Sequence, residues 1–199
     1  SVFDTFPLEN KLSDATTGFK TMNRVSLLEK ENKELKRLLQ KKEGIKSILG
    51  DSKEMKDLIA WVERVSNHDA NILIEGEIGT GKDLVAKAIH YNSKRSMHPF
   101  RKINCASIPK DSFESEFFGY ERGAFPEAKK RSIGLFEMAD KGTVFLDNVI
   151  ELDKSSQAKL LRVIQDGEFE RLGGSQTVEV DVRIISSTTK NLKDEILQG

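Results

Sequence analysis

A lone cysteine, Cys105, in 199 residues rules out an intramolecular disulfide. His68, His90 and His98 have no cysteine partner at metal-ligand spacing, which excludes the common zinc arrangements. Net charge is missing too. Lys plus Arg number 32 and Asp plus Glu number 32, so no global field draws the chain to nucleic acid or anionic lipid. No apolar run approaches the roughly 18 to 20 residues of a membrane helix. The first thirty residues lack the basic start and apolar stretch of a secretory signal. These absences together predict a cytoplasmic protein without membrane partners. What is present is a foldable composition: 37% hydrophobic residues and 11 Phe for a core, and 32% charged residues for a wide solvated surface. The length fits one domain with an appendage, or two small domains.

Residues 1–22 show neither clean periodicity nor a motif and are assigned no function. In residues 23–43 the composition shifts to Glu, Lys and Leu, with Val25, Leu28, Leu35 and Leu39 at spacings of three and four around Asn32. That is a heptad seam, and one Asn in an a-type position fixes a parallel two-stranded register. A homodimer is the favoured expectation; an amphipathic helix lying on its own domain is the other. From Gly44 onward, apolar or β-branched runs at 71–75, 100–105, 143–147 and 182–187 alternate with helical patterns at 52–66, 82–91 and 155–166. Strands alternating with helices predict an α/β fold, a parallel sheet covered on both faces. Ligands then belong beyond the carboxyl ends of the strands. Cys105, at the end of one run, reads as a small core residue. The short basic runs at 94–95, 101–102 and 129–131 read as solvated surface or contact with a neighbouring copy rather than as DNA-binding.

Directly after the first run comes Gly76-Glu77-Ile78-Gly79-Thr80-Gly81-Lys82-Asp83, which fits G-x-x-x-x-G-K and opens a helical pattern. Glycines let backbone N–H groups converge on phosphate oxygens, the helix N-terminus adds its dipole, and Lys82 reaches the β and γ phosphates. Asp83 stands where the general motif has a hydroxyl. The run Thr143-Val144-Phe145-Leu146-Asp147 ends in an acid suited to Mg²⁺. The expected ligands are ATP or ADP with Mg²⁺.

Six ordered blocks then carry a family resemblance: GEIGTGKD, KAIHYNSKR, INCASIPKDSFESEFFGYERGAF, GLFEMADKGTVFLDN, QAKLLRVIQDGEFERLGG and DVRIISSTTKNL. From about Ile48 to Gly199 the chain resembles the AAA+ central domain of the sigma-54-dependent transcriptional activators. The resemblance implies a bacterial P-loop NTPase, usually a hexamer, that hydrolyses ATP to remodel sigma-54 RNA polymerase. It implies a sheet in the order 5-1-4-3-2, and often a place in a two-component-like response regulator.

Gly76, Gly79, Gly81 and Lys82 match the family's phosphate loop, and Asp83 replaces its Glu. Asp147 matches the magnesium residue, while Asn148 replaces the Glu that polarises the attacking water. Asn104 matches the residue that bonds that Glu, and Thr189 stands at the nucleotide-sensing Asn. The sigma-contacting loop, Gly-Ala-Phe-Thr-Gly-Ala in the family, is here Gly123-Ala124-Phe125-Pro126-Glu127-Ala128. Residues 44–199 are expected to lack the fifth strand, arginine fingers and lid, and the sequence contains no DNA-binding domain. The expectation is an ATP-binding transcriptional regulator with impaired hydrolysis and impaired sigma-54 contact; the other reading is a truncated fragment serving as a non-catalytic interaction or dimerisation module.

Overall fold

The computed structural model describes residues 8–190. Helix α1 runs over Leu8–Glu43, beginning well before the heptad segment that predicted it. No proline and only one glycine, Gly18, interrupt those residues, so nothing breaks the helix where the apolar period fades. Contacts divide the chain between Leu39 and Gln40.

In the second unit, α2 (Lys53–Ser66) starts where the Ser52 side chain accepts a hydrogen bond from Met55 N, satisfying one of the free donors of the first turn. Then follow β1 (Ile72–Glu75), α3 (Lys82–Tyr91) and β2 (Phe100–Asn104). Next come α4 (Phe113–Phe118), β3 (Gly119–Tyr120), β4 (Ser132–Ile133), α5 (Leu135–Met138) and β5 (Thr143–Asp147). The chain continues through α6 (Lys154–Asp166), β6 (Glu168–Glu170), β7 (Thr177–Glu179) and β8 (Arg183–Thr188).

Strands β1, β8, β5 and β2 form one parallel sheet in that order. Counting only these strands the order is 1-4-3-2, as the resemblance implied. Alternation along each strand splits the interior in two. Phe145 and Ile185 face Val62, Val85 and Ile89 of α2 and α3, whereas Val144, Leu146 and Ile184 face Phe113, Phe117, Phe136, Leu160 and Val163 of α4, α5 and α6. Each large side chain buried this way contributes about 1.5–3 kcal/mol. The sheet is therefore a middle layer, as predicted, and its fourth strand runs one residue later than the sequence pattern set it.

Two antiparallel ribbons, β3 with β4 and β6 with β7, have no counterpart in the sequence reading. Two or three residues are too few to show a period of two. Gly119 and Gly134 let the first ribbon close: a Cβ on Gly119 would lie 2.4 Å from Ser132 O.

The buried polar groups include a histidine and a thiol, while among the described residues His90 Nε2 and Arg183 Nη1 are buried without a hydrogen-bond partner. His90 Nδ1 lies 2.9 Å from Thr143 Oγ1, and burial pushes its pKa down to about 4. Cys105 is a buried core residue whose thiol is pushed up to about 12 by burial, with the nearby Asp147 charge adding to it.

Candidate functional site

The candidate residues converge at the carboxyl end of the parallel strands. Strand β1 ends at Glu75, and Gly76 N donates to Thr188 O at 3.2 Å, extending the pairing with β8 by one residue. The chain then turns through Gly79 and Gly81, whose φ values of 83° and 86° lie where side chains other than glycine are strained. Thr80 Oγ1 donates to Glu77 O at 2.8 Å and holds the turn. Gly81 caps α3 without any side-chain bond, so the N–H groups of that first turn have no side-chain cap. Ile78 is 89% exposed at the loop's tip. Lys82 Nζ donates to Gly76 O at 2.8 Å and to Glu77 O at 2.7 Å, folding its ammonium into the loop.

Asp147 ends β5 at the same edge of the sheet. Its Oδ1 accepts a 2.6 Å hydrogen bond from Ser187 Oγ, and Asn148 N donates to the same Ser187 oxygen at 3.2 Å. Lys102 Nζ lies 3.6 Å from Asp147 Oδ2 and 3.1 Å from Asp83 Oδ1. Asp83 Oδ2 also meets Lys87 at 3.7 Å. Ser187 was not singled out from sequence, and Lys102, read there with Arg101 as solvated surface, is instead paired with two acids of the site. The available signals were a hydroxyl near the end of an otherwise apolar strand, and a lysine two residues before Asn104.

Asn104 lies beside Asp147 in the β2–β5 register, but its Oδ1 accepts from Ala106 N at 3.0 Å and caps its own turn. Asn148 adopts the left-handed conformation, φ 57° and ψ 53°, which Asn tolerates better than most residues. Thr189 is exposed just past β8, so Ser187 is the β8 residue that touches Asp147.

The segment Gly123–Ala128 follows β3 and precedes β4. Ala128 N donates to Phe125 O at 2.9 Å, a turn with Pro126 at its second position, where the fixed φ of proline suits it. The Phe125 ring meets Tyr120 edge-on at 4.8 Å. Below the segment, Arg171, with a 6% exposed side chain, donates to Glu137 Oε1 at 2.8 Å and Glu121 Oε1 at 3.1 Å. Arg131 Nη2 approaches Glu137 at 3.5 Å from the solvent side. This network was also absent from the sequence reading. A buried guanidinium keeps two carboxylates company and joins the ribbon of β3 to α5 and β6.

The donor set suits a metal-bound nucleotide. Helix N–H groups without a side-chain cap, a glycine turn and a lysine can hold phosphate, and the Asp147 carboxylate offers a hard oxygen already facing a cation, the Lys102 ammonium.

A strand, its glycine loop and helix, and an acid-ended strand one place further across the sheet define a P-loop NTPase domain. The fold is similar to the P-loop NTPase domain of an Escherichia coli sigma-54 activator, with TM-score 0.50 and 15% identity over 75% of this chain and 84% of that one. Residues 48–199 match the sigma-54 interaction domain, and the chain belongs to that family. It is 49% identical to the Nif-specific regulatory protein of Enterobacter agglomerans over 78% of this chain and 30% of that protein. It is 48% identical to regulatory protein AtoC of Escherichia coli over 76% of this chain and 33% of that one. Among solved structures, NtrX from Brucella abortus in complex with ATP is similar at TM-score 0.70 and 34% identity, over all of this chain and 40% of that one. The chain spans about a third of the length of these curated relatives.

Proposed function

We propose that this chain is the ATP-binding core of a bacterial, cytoplasmic, sigma-54-dependent transcription regulator. The observation that carries the reading is the meeting of the Gly76–Lys82 loop, the open N-terminus of α3 and Asp147 at one end of the sheet. The NtrX complexes with ATP and ADP support it. Gly76 to Asp83 hold the phosphates, with Lys82 leaving its loop carbonyls to meet them. Asp147 holds Mg²⁺, which neutralises phosphate charge when bound, and Ser187 fixes the orientation of that carboxylate.

Hydrolysis is slow in this reading. A positioned carboxylate acting on the attacking water is worth about 10² to 10⁴ in rate, and Asn148 orients water without taking its proton. Contact with sigma-54 is weakened because Pro126 sets the turn and Glu127 puts a charge at the exposed tip. Copies of the chain associate through the 25–39 stripe of α1. Fluorescent-nucleotide titration and phosphate release on the same sample test the proposal: binding lost in Lys82→Ala, with turnover near background, is expected. Binding unaffected by Lys82→Ala would overturn it.

A second reading, a non-catalytic interaction module, draws on the Asn104 side chain being engaged with Ala106 N and on the left-handed Asn148. It predicts that neither nucleotide binding nor turnover is measurable on the same sample.

A further inference from the structure

We propose that Lys102 is a tethered counter-ion which occupies the metal position of the nucleotide-free site and makes divalent-cation binding conditional on nucleotide. The inference rests on the assignment of Asp147 as metal residue. Its own basis is the position of one ammonium. Lys102 stands on β2 directly opposite Phe145 of β5. Its Nζ lies 5.6 Å from the centre of the Phe145 ring, 3.1 Å from Asp83 Oδ1 and 3.6 Å from Asp147 Oδ2. The ring and the two carboxylates come from different parts of the fold, so the ammonium ties the start of α3 to the end of β5.

The other oxygen of each acid is engaged as well. Asp147 Oδ1 takes the Ser187 hydroxyl, and Asp83 Oδ2 faces Lys87, whose Nζ also pairs with Glu43 at 3.1 Å. The site is thus balanced by lysines before any metal arrives. A divalent cation approaching Asp147 Oδ2 meets a fixed positive charge, and like charges a few ångströms apart repel by more than thermal energy even in a wet site. The ammonium must leave Asp147 first. A nucleoside polyphosphate supplies a new anion for it, so phosphate and metal enter together and neither carboxylate is left uncompensated. Lys102 acts here as a positioning residue, through Asp83 and Asp147.

Mn²⁺ is the probe, its free and bound forms distinguished by electron paramagnetic resonance, on the full chain with and without ATP. Without nucleotide, Lys102→Met and Lys102→Gln are expected to bind Mn²⁺ about tenfold tighter than the unaltered chain. Lys102→Arg keeps the charge and stays near the unaltered affinity. The gain in Mn²⁺ affinity on adding ATP shrinks in both neutral variants. Thermal unfolding of each variant verifies the fold, and Lys102 is on a strand paired on one side only among the described residues. Unchanged or weaker nucleotide-free Mn²⁺ binding in both neutral variants would overturn the proposal, as would Lys102→Arg behaving like Lys102→Met. Failure of the unaltered chain to bind ATP would instead strike the functional assignment, while the nucleotide-free comparison still decides the role of Lys102.

Discussion

At the scale of single residues, the positions that depart from their neighbours' chemistry are the most testable. His90 is buried with its pKa pushed down to about 4, against about 6.5 in an unfolded chain. Between those values the unfolded chain holds a proton that the folded chain refuses. Stability is therefore full above about pH 6.5, falls as the pH drops, and by pH 4 has lost about 3 kcal/mol from this group. Urea unfolding at pH 7 and pH 4.5 checks it: His90→Gln should be less stable at pH 7 and should lose less between the two. Asn148 offers a second measurement. Its left-handed backbone predicts that Asn148→Gly melts no lower than the parent, while Asn148→Glu loses on the order of 1 kcal/mol, seen as a lower Tm. An oxygen at position 148 able to serve as base thus carries a conformational cost here.

At the scale of elements, α1 presents a partner-ready face. Val25, Leu28, Leu35 and Leu39 are each 45–55% exposed, with Asn32 in the middle of the stripe. In a parallel in-register pair, Arg24 of one copy lies near Glu29 of the other and Glu31 near Lys36, both attractive, and the two Asn32 amides meet. An antiparallel pair would set Asn32 against leucine. Light scattering should find a dimer that Leu28→Glu with Leu35→Glu converts to monomer, and Asn32→Leu should strengthen association while loosening its register. The ion-pair group under the 123–128 segment gives a different outcome. Arg171→Ala leaves Glu121 and Glu137 with only the exposed Arg131 near them and should cost about 1–3 kcal/mol, measured by chemical unfolding. The elements bearing punctuation were legible: α3 begins at Lys82 after Gly81 and β5 ends at Asp147, as the sequence pattern set them, whereas the caps Ser52 and Asp153 were not singled out. The short ribbons and α5 have no room for a period. Lys102, Ser187 and the Arg171 network were illegible for another reason, since strand order alone brings their partners together from distant points of the chain.

At the scale of the molecule, β1 pairs with β8 on one side, and among the described residues no strand lies on its other side. A groove of about 440 Å³ runs there, with Leu58, Trp61 and Leu73 on the apolar part and Gly76, Thr80 and Lys82 on the polar part. An apolar strand edge invites pairing. With α1 silenced by the two glutamates, residual association at high chain concentration is expected and should fall further in Leu73→Lys, followed by sedimentation. The same groove has an optical consequence. Trp61 is the sole tryptophan and 43% exposed. All indole emission from this molecule therefore originates in a groove that residues of the phosphate loop also line. Polarity and quenching there change when Lys82 swings or the groove fills, so the unlabelled chain carries its own lamp beside the loop it would report on.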